Sequence, residues 1–202
     1  MTNKQIRKEF KFLIQNKELS NLYKFYGNSL DSLYSNRKIR SLYMDTEDFK
    51  IYQLSKLNDV GKFKYRFRTY PNTDSHIYKE IKLNTSLGKE KIVKKTNIRE
   101  LNQIKYELYK DFYLRPSLYI EYERQYKKID DKIRLTIDNK IKFTIPKNRS
   151  LLNYPVIKDF FVVEMKILND EKIDINKYFF KNPIAFSKYD FGIETIYNKL
   201  SI

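Results

Sequence analysis

The sequence predicts an α+β fold: an antiparallel sheet of about eight strands with a few helices outside it. Period-two alternation of charged and apolar residues recurs in segment after segment, as half-buried antiparallel strands require. Helical spacing of apolar residues is confined to short stretches between those segments. The 202 residues are 41% hydrophobic and 16% aromatic, enough for one sizeable core and too apolar for disorder. With only 4 Gly and 5 Pro there is no long flexible linker, so a single domain over 1–202 is expected.

Taken in order, Arg7, Glu9 and Lys11 alternate with Lys8, Phe10, Phe12 and Ile14 as a first strand. Leu19, Leu22, Tyr23 and Tyr26 have helical spacing, and Lys38 to Asp45 reads as a second strand. Asp45 and Thr46 are capping candidates for a short helix carrying Phe49 and Tyr52. The segment KFKYRFRTY at 62–70 is the most telling. One of its faces carries Lys62, Lys64, Arg66, Arg68 and Tyr70, the other Phe63, Tyr65, Phe67 and Thr69. Pro71 to Ser75 forms a turn, which makes the lone histidine, His76, a surface residue.

Tyr78, Glu80 and Lys82 then alternate with Ile77, Ile81 and Leu83, and a more polar strand follows from Leu87 to Lys95. Leu101, Ile104, Leu108 and Phe112 have helical spacing. Tyr122, Arg124 and Tyr126 share one face of a strand that begins after Pro116. Arg134, Thr136 and Asp138 alternate with Ile133, Leu135 and Ile137. Asp138-Asn139-Lys140 suits a tight turn into Ile141 to Ile145, so Asp138 is read as shaping the turn rather than binding metal. Glu164 and Lys166 alternate with Phe161, Val163, Met165 and Ile167, and Tyr189 to Leu200 forms a last helix.

A net charge of +16 points to an anionic partner: nucleic acid, an anionic membrane or a phosphate-rich molecule. Of the ten arginines, Arg7, Arg66, Arg68, Arg124 and Arg134 fall on polar strand faces, where their planar forks match phosphate oxygens. No cysteine is present, which excludes disulfides, thiol catalysis and Cys-ligated metal sites. One histidine cannot form a His-based metal cluster. No Gly-rich phosphate loop occurs. Single-strand nucleic-acid binders place aromatics beside their basic residues, whereas Phe63, Tyr65 and Phe67 point away from the basic face, so nucleic acid is not the expected partner. The N-terminus lacks a secretory apolar stretch and Phe160 to Val163 is too short to span a bilayer, which favours a cytoplasmic protein.

The polar faces carry both signs of charge, with the acidic residues Glu9, Glu80 and Glu164 on few strands. A sheet closed into a barrel brings such faces together around a lumen. Basic residues there clamp phosphates, and carboxylates hold Mg²⁺ or Mn²⁺, hard cations that bridge carboxylate and phosphate oxygens.

Eight segments in this order resemble the triphosphate tunnel metalloenzymes, specifically the vacuolar transporter chaperone (VTC) branch of polyphosphate polymerases. They are KEFKF (8–12), IRSLYMDT (39–46), KYRFRTY (64–70), YKEIK (78–82), IEYERQY (120–126), IRLTID (133–138), VVEMKI (162–167) and FSKY (186–189). The resemblance implies a closed antiparallel β-barrel, a tunnel lined by basic residues around a metal-bound nucleoside triphosphate. It implies catalytic and phosphate-binding roles for Arg66, Arg68, Lys82, Arg124, Arg134 and Lys188. Lys11, Lys64, Tyr122 and Lys166 join the phosphate-binding set, with Lys89 or Lys91 as a fifth-strand contact. For Tyr122 a packing role is the alternative. Glu164 matches the metal carboxylate; Glu9 and Glu80 are supporting carboxylates, read as partners of lysines more than as metal ligands.

The implied chemistry is phosphoryl transfer from ATP to inorganic polyphosphate, with Mn²⁺ or Mg²⁺ as cofactor. Alternatives are a metal-dependent tripolyphosphatase or nucleoside triphosphatase, and a non-catalytic polyphosphate- or nucleotide-binding module. Hydrolytic relatives with the CYTH signature begin with two glutamates and a lysine at alternate positions, and Arg7 takes the first of these places here. With no membrane segment in the chain, either a separate membrane protein is its partner or its product is not exported, and the oligomeric state is open.

Overall fold

Charge alternation becomes strand where expected, as the burial of KFKYRFRTY shows in a computed structural model describing residues 7–27, 30–57, 61–86, 88–147, 155–168 and 174–197. Phe63, Tyr65 and Phe67 are buried, while Lys64 and Arg66 on the opposite face retain access to solvent. The side chains of Arg7, Lys89 and Leu168 lie outside the description, so the expectations for Arg7 and Lys89 are not carried further.

The described strands are β1 (Arg7–Gln15), β2 (Asp31–Asp45), β3 (Phe63–Tyr70), β4 (Asp74–Thr85) and β5 (Gly88–Lys95) in the first half. The second half adds β6 (Glu107–Tyr109), β7 (Phe112–Lys128), β8 (Ile133–Thr144), β9 (Val156–Lys158) and β10 (Phe160–Leu168). Three α-helices accompany them: α1 (Leu19–Tyr26), α2 (Lys50–Lys56) and α3 (Lys188–Tyr197). Hydrogen-bonded neighbours follow the order β1-β10-β8-β7-β2-β3-β4-β5, with β6 on β7 and β9 on β8.

That order ends at β1 and β5 and does not return on itself, so the closed barrel expected from sequence is not what the described hydrogen bonding forms. The β5 sequence GKEKIVKK is suited to an end position, because lysines blunt a strand edge against further pairing.

The chain forms two compact units. The first comprises Met1–Arg37, Tyr122–Ile141 and Lys158–Phe186. In it β1 pairs with β10, and β10 with β8, each antiparallel. Their apolar faces supply Phe12, Ile14, Ile133, Leu135, Ile137, Val163, Met165 and Ile167 to one core. Leu22 and Tyr26 of α1 close over it, and Phe179 stacks on Phe12 at 3.8 Å.

The second unit comprises Lys38–Glu121, Lys142–Ile157 and Ser187–Ile202. Its core joins Leu42, Met44, Phe63, Tyr65, Phe67, Ile77 and Ile81 to Ile51 of α2 and to Leu101, Ile104 and Leu114. The capping residues act together at α2. The Asp45 carboxylate accepts from the amides of Ile51 and Tyr52, and the Thr46 hydroxyl accepts from that of Lys50.

Two predicted elements differ. No helix runs from Leu101 to Phe112: one 3-10 turn, Leu101–Gln103, gives way to the β6–β7 hairpin, in which Leu108 faces Tyr113. Leu108 is 69% exposed, so the helical spacing was a coincidence of two buried residues, the half-buried Phe112 and one surface residue. Lys110, at φ 52, makes the tight connection. Nor is there a turn at 138–140. β8 passes through it as one strand, with Lys140 at φ 49 absorbing the irregularity. The end of the predicted last helix, beyond Tyr197, lies outside the described residues.

Candidate phosphate-binding faces

In the second unit, strand register lines up three rows across β2–β5. Ser41, Arg68, Tyr78 and Lys95 form one, Tyr43, Arg66, Glu80 and Val93 the next, and Lys64, Lys82 and Lys91 the third. Alternation puts all these side chains on the face opposite the aromatic core. Lys64, Arg66, Arg68, Lys82, Lys91 and Lys95 thus share it with Glu80 in their midst, and with Asp45 and Asp74 at the ends of β2 and β4.

Glu80 is 3% exposed and holds the cations in place. It accepts from Arg66 Nε at 2.7 Å and Lys91 Nζ at 2.8 Å, with Arg68 Nη1 at 3.7 Å. Burial alone would raise its pKa, but Arg66, Arg68 and Lys91 override that and hold it at about 2. It is a fixed anion among cations. The α3 end adds another anion, Asp190, whose two oxygens each accept from Lys64 Nζ at 2.9 Å. Lys64 also donates to the Ser187 hydroxyl at 2.6 Å. Lys188 begins α3, and Lys82 lies exposed on β4.

The first unit brings together a second set. Lys11 lies opposite Glu164, Glu9 opposite Lys166, and on the next strand Thr136 faces Glu164 and Arg134 faces Lys166. Glu164 accepts from Lys166 at 2.8 Å. Burial works against its charge, yet Lys166, Arg124 and Lys11 keep its pKa at about 2. Lys11 also reaches Glu9 at 3.5 Å and donates to the Phe186 carbonyl at 3.0 Å. Arg134 is exposed. Tyr122 is buried, with the Arg124 guanidinium 5.3 Å from its ring centroid, which favours the packing role. Asp138, expected to shape a turn, instead receives Arg124 through two hydrogen bonds within continuous β8.

Among the described residues no three His, Asp or Glu gather in a way that would hold a metal by themselves. Mg²⁺ and Mn²⁺ need only one or two protein carboxylates when phosphate oxygens and water complete the shell. Glu164 fits that requirement. Directly opposite it, the Thr136 hydroxyl is buried with no hydrogen-bond partner among the described residues, a polar atom that a phosphate oxygen or an ordered water would satisfy.

Sequence reasoning missed Tyr43, Asp190 and Thr136. The alternation Ser41-Leu42-Tyr43-Met44-Asp45 was the available signal for Tyr43, and nothing local marked Asp190 as the partner of Lys64. A hollow of about 640 Å³ beside the turn between β3 and β4, lined by residues including His76, Lys95 and Arg99, contains none of the predicted site residues. His76 itself contacts Asp74 at 2.7 Å. No helix among the described residues is long and apolar enough to cross a membrane.

The VTC domain family matches residues 6–105 and 86–197. No curated protein matches the sequence. Among solved structures, the PH1819 protein of Pyrococcus horikoshii OT3 is similar at 10% identity and a TM-score of 0.54, over 96% of this chain and 99% of that one. The PH1012 protein of the same organism is similar at 10% identity and a TM-score of 0.50, over 82% and 80%. At these identities the likeness concerns the fold alone.

Proposed function

Because the chain belongs to the VTC domain family, we propose that it transfers phosphoryl groups from ATP to a growing inorganic polyphosphate chain, with 1–202 acting as one domain of that family. The observation that carries this reading is the register-aligned face of Lys64, Arg66, Arg68, Lys82, Lys91 and Lys95, whose central carboxylate, Glu80, is already engaged by its neighbours.

Phosphoryl transfer depends on positioning and charge neutralisation more than on covalent help, so neither His nor Cys is needed. One charge pair at contact distance is worth roughly 4 kcal/mol at an effective dielectric near 20. Several such pairs offset both the desolvation of a triphosphate and the mutual repulsion of the cations. Arg66 and Arg68 grip phosphate oxygens through their forks, and Lys82, Lys91 and Lys188 supply further positive charge. In the first unit Lys11, Arg124, Arg134 and Lys166 take phosphate-facing roles. Glu164 would hold Mn²⁺ or Mg²⁺, which when bound would supply neutralising charge to the transferred group. Thr136 donates to a phosphate oxygen or water beside it.

The test is incubation of the protein with ATP and Mn²⁺, with products resolved on a polyacrylamide gel beside a Glu164→Gln control. A ladder of long polyphosphate that vanishes in the control is expected. Orthophosphate without chain growth makes the protein a hydrolase, and tight triphosphate binding without turnover makes it a binding module.

A further inference from the structure

Tyr43 stands opposite Arg66 in the β2–β3 register, and its hydroxyl accepts from Arg66 Nη1 at 2.7 Å. Glu80 takes the other side of the same guanidinium, through Nε at 2.7 Å and through Nη2. The fork is thus fixed from two directions. The tyrosine is fixed as well. Its ring stacks on Tyr189 of α3 at 4.8 Å and 12°, and the Tyr189 hydroxyl donates to Asp45. Behind it, the Ser117 hydroxyl donates to the Tyr43 carbonyl at 2.8 Å. Tyr43 is 8% exposed.

The chemistry of that acceptor matters. A carboxylate at position 43 would orient Arg66 and cancel its charge together. Glu80 already sets one negative charge against this guanidinium, and a neutral phenol orients Arg66 without adding a second. The groups facing Tyr43 are Arg66, Arg68 and Lys64 on β3, Asp45 on its own strand, Tyr189 on α3 and Ser117 on β7. Burial pushes the phenol up, but Arg66, Arg68 and Lys64 more than reverse this and bring it down to about 8.

We propose that Tyr43 is a positioning residue that holds Arg66 ready for a phosphate group and makes anion binding on this face sensitive to alkaline pH. The inference rests on the reading of this face as phosphate-binding. Below the Tyr43 transition the guanidinium is oriented and Tyr43 sets no negative charge against it. Above it a phenolate places a negative charge against Arg66, and an arriving phosphate meets a weaker field.

Tyr43→Phe keeps the ring and its stacking and removes only the hydroxyl. Calorimetric titration of inorganic tripolyphosphate, without metal, into both proteins from pH 7 to 9.5 separates the possibilities. At pH 7 the wild type is expected to bind at least about tenfold more tightly, the order expected from one hydrogen bond to a charged group. That advantage is expected to close by pH 9.5, and taking the ratio of the two proteins cancels the ionisation of the ligand itself. Phenolate absorbance, wild type minus Tyr43→Phe, should show a step near pH 8 that tripolyphosphate moves upward, as reciprocity requires. In Arg66→Gln the step should move towards ordinary tyrosine.

A constant affinity ratio across pH reduces Tyr43 to a packing residue and overturns the proposal, as does a step unmoved in Arg66→Gln. Failure of the wild type to bind tripolyphosphate at any pH overturns the reading of the face itself, and the proposal with it. That failure is recognisable because the absorbance step persists without any response to the anion.

Discussion

Arg124 grips Asp138 with two near-parallel hydrogen bonds, Nε to Oδ1 at 2.6 Å and Nη2 to Oδ2 at 2.7 Å. Asp138 is fully buried, and the Arg124 side chain is 14% exposed. Burial disfavours the Arg124 charge, but Asp138 more than restores it, so the guanidinium stays protonated. Removing one partner strands the other: Asp138→Ala should destabilise the fold by about 3 to 5 kcal/mol. Replacing both with apolar residues of similar volume should recover most of that loss. Urea unfolding of the single and double variants checks the pair.

Glu80 gives the fold an acid-labile component. Its folded pKa is about 2 against an ordinary value of 4.5. A depressed carboxylate contributes fully above its unfolded pKa and loses that contribution as pH falls through the folded one. Wild-type stability should therefore decline between pH 4.5 and 2, by about 3 kcal/mol from this residue. Glu80→Gln should lack that segment of the decline and be less stable at pH 7. Denaturant midpoints across the acid range read the difference.

Asp190 competes with any anion for Lys64, since both of its oxygens already accept from the ammonium. Asp190→Asn should raise tripolyphosphate affinity several-fold at low salt, with the gain shrinking as ionic strength screens it. The cost is the loss of an acidic residue in the first turn of α3, worth about 0.5 kcal/mol of helix stability. Calorimetry at two salt concentrations, paired with a thermal melt, separates these effects.

Gly192 tests packing in the second unit. Alanine normally gains about 1 kcal/mol over glycine inside a helix. A Cβ at 192, however, would lie 2.6 Å from both Leu118 Cδ2 and Phe143 Cδ1, well inside contact distance. Overpacking of that kind costs roughly 1 to 3 kcal/mol, so the clash should win and Gly192→Ala should lower the melting temperature.

The strands were legible because alternation is local: most charged residues on β1, β3, β4, β8 and β10 declared their face through their apolar neighbours, with Lys8 and Lys79 as exceptions. The failures were of two kinds. Leu108 carried a helical spacing that the Leu108–Tyr113 pairing overrode. Asp138-Asn139-Lys140 carried turn chemistry that β8 accommodated at one residue with positive φ. Candidate cations were legible for the same local reason as the strands. Their counter-ions were not, because Asp190 and Lys64 are 126 residues apart in sequence and meet only through tertiary packing.

Asp45 draws separate pieces of the second unit into one cooperative event. Its carboxylate is fully buried and serves the amides of Ile51 and Tyr52 and the hydroxyl of Tyr189 together. Any fluctuation that lifts the first turn of α3 deprives this buried group of a donor, and fraying at the start of α2 deprives it of two more. Neither helix can open cheaply while the other stays docked. Local breathing that would otherwise exchange their amides independently is thereby suppressed, and α2 and the start of α3 should behave as a single unit of hydrogen exchange.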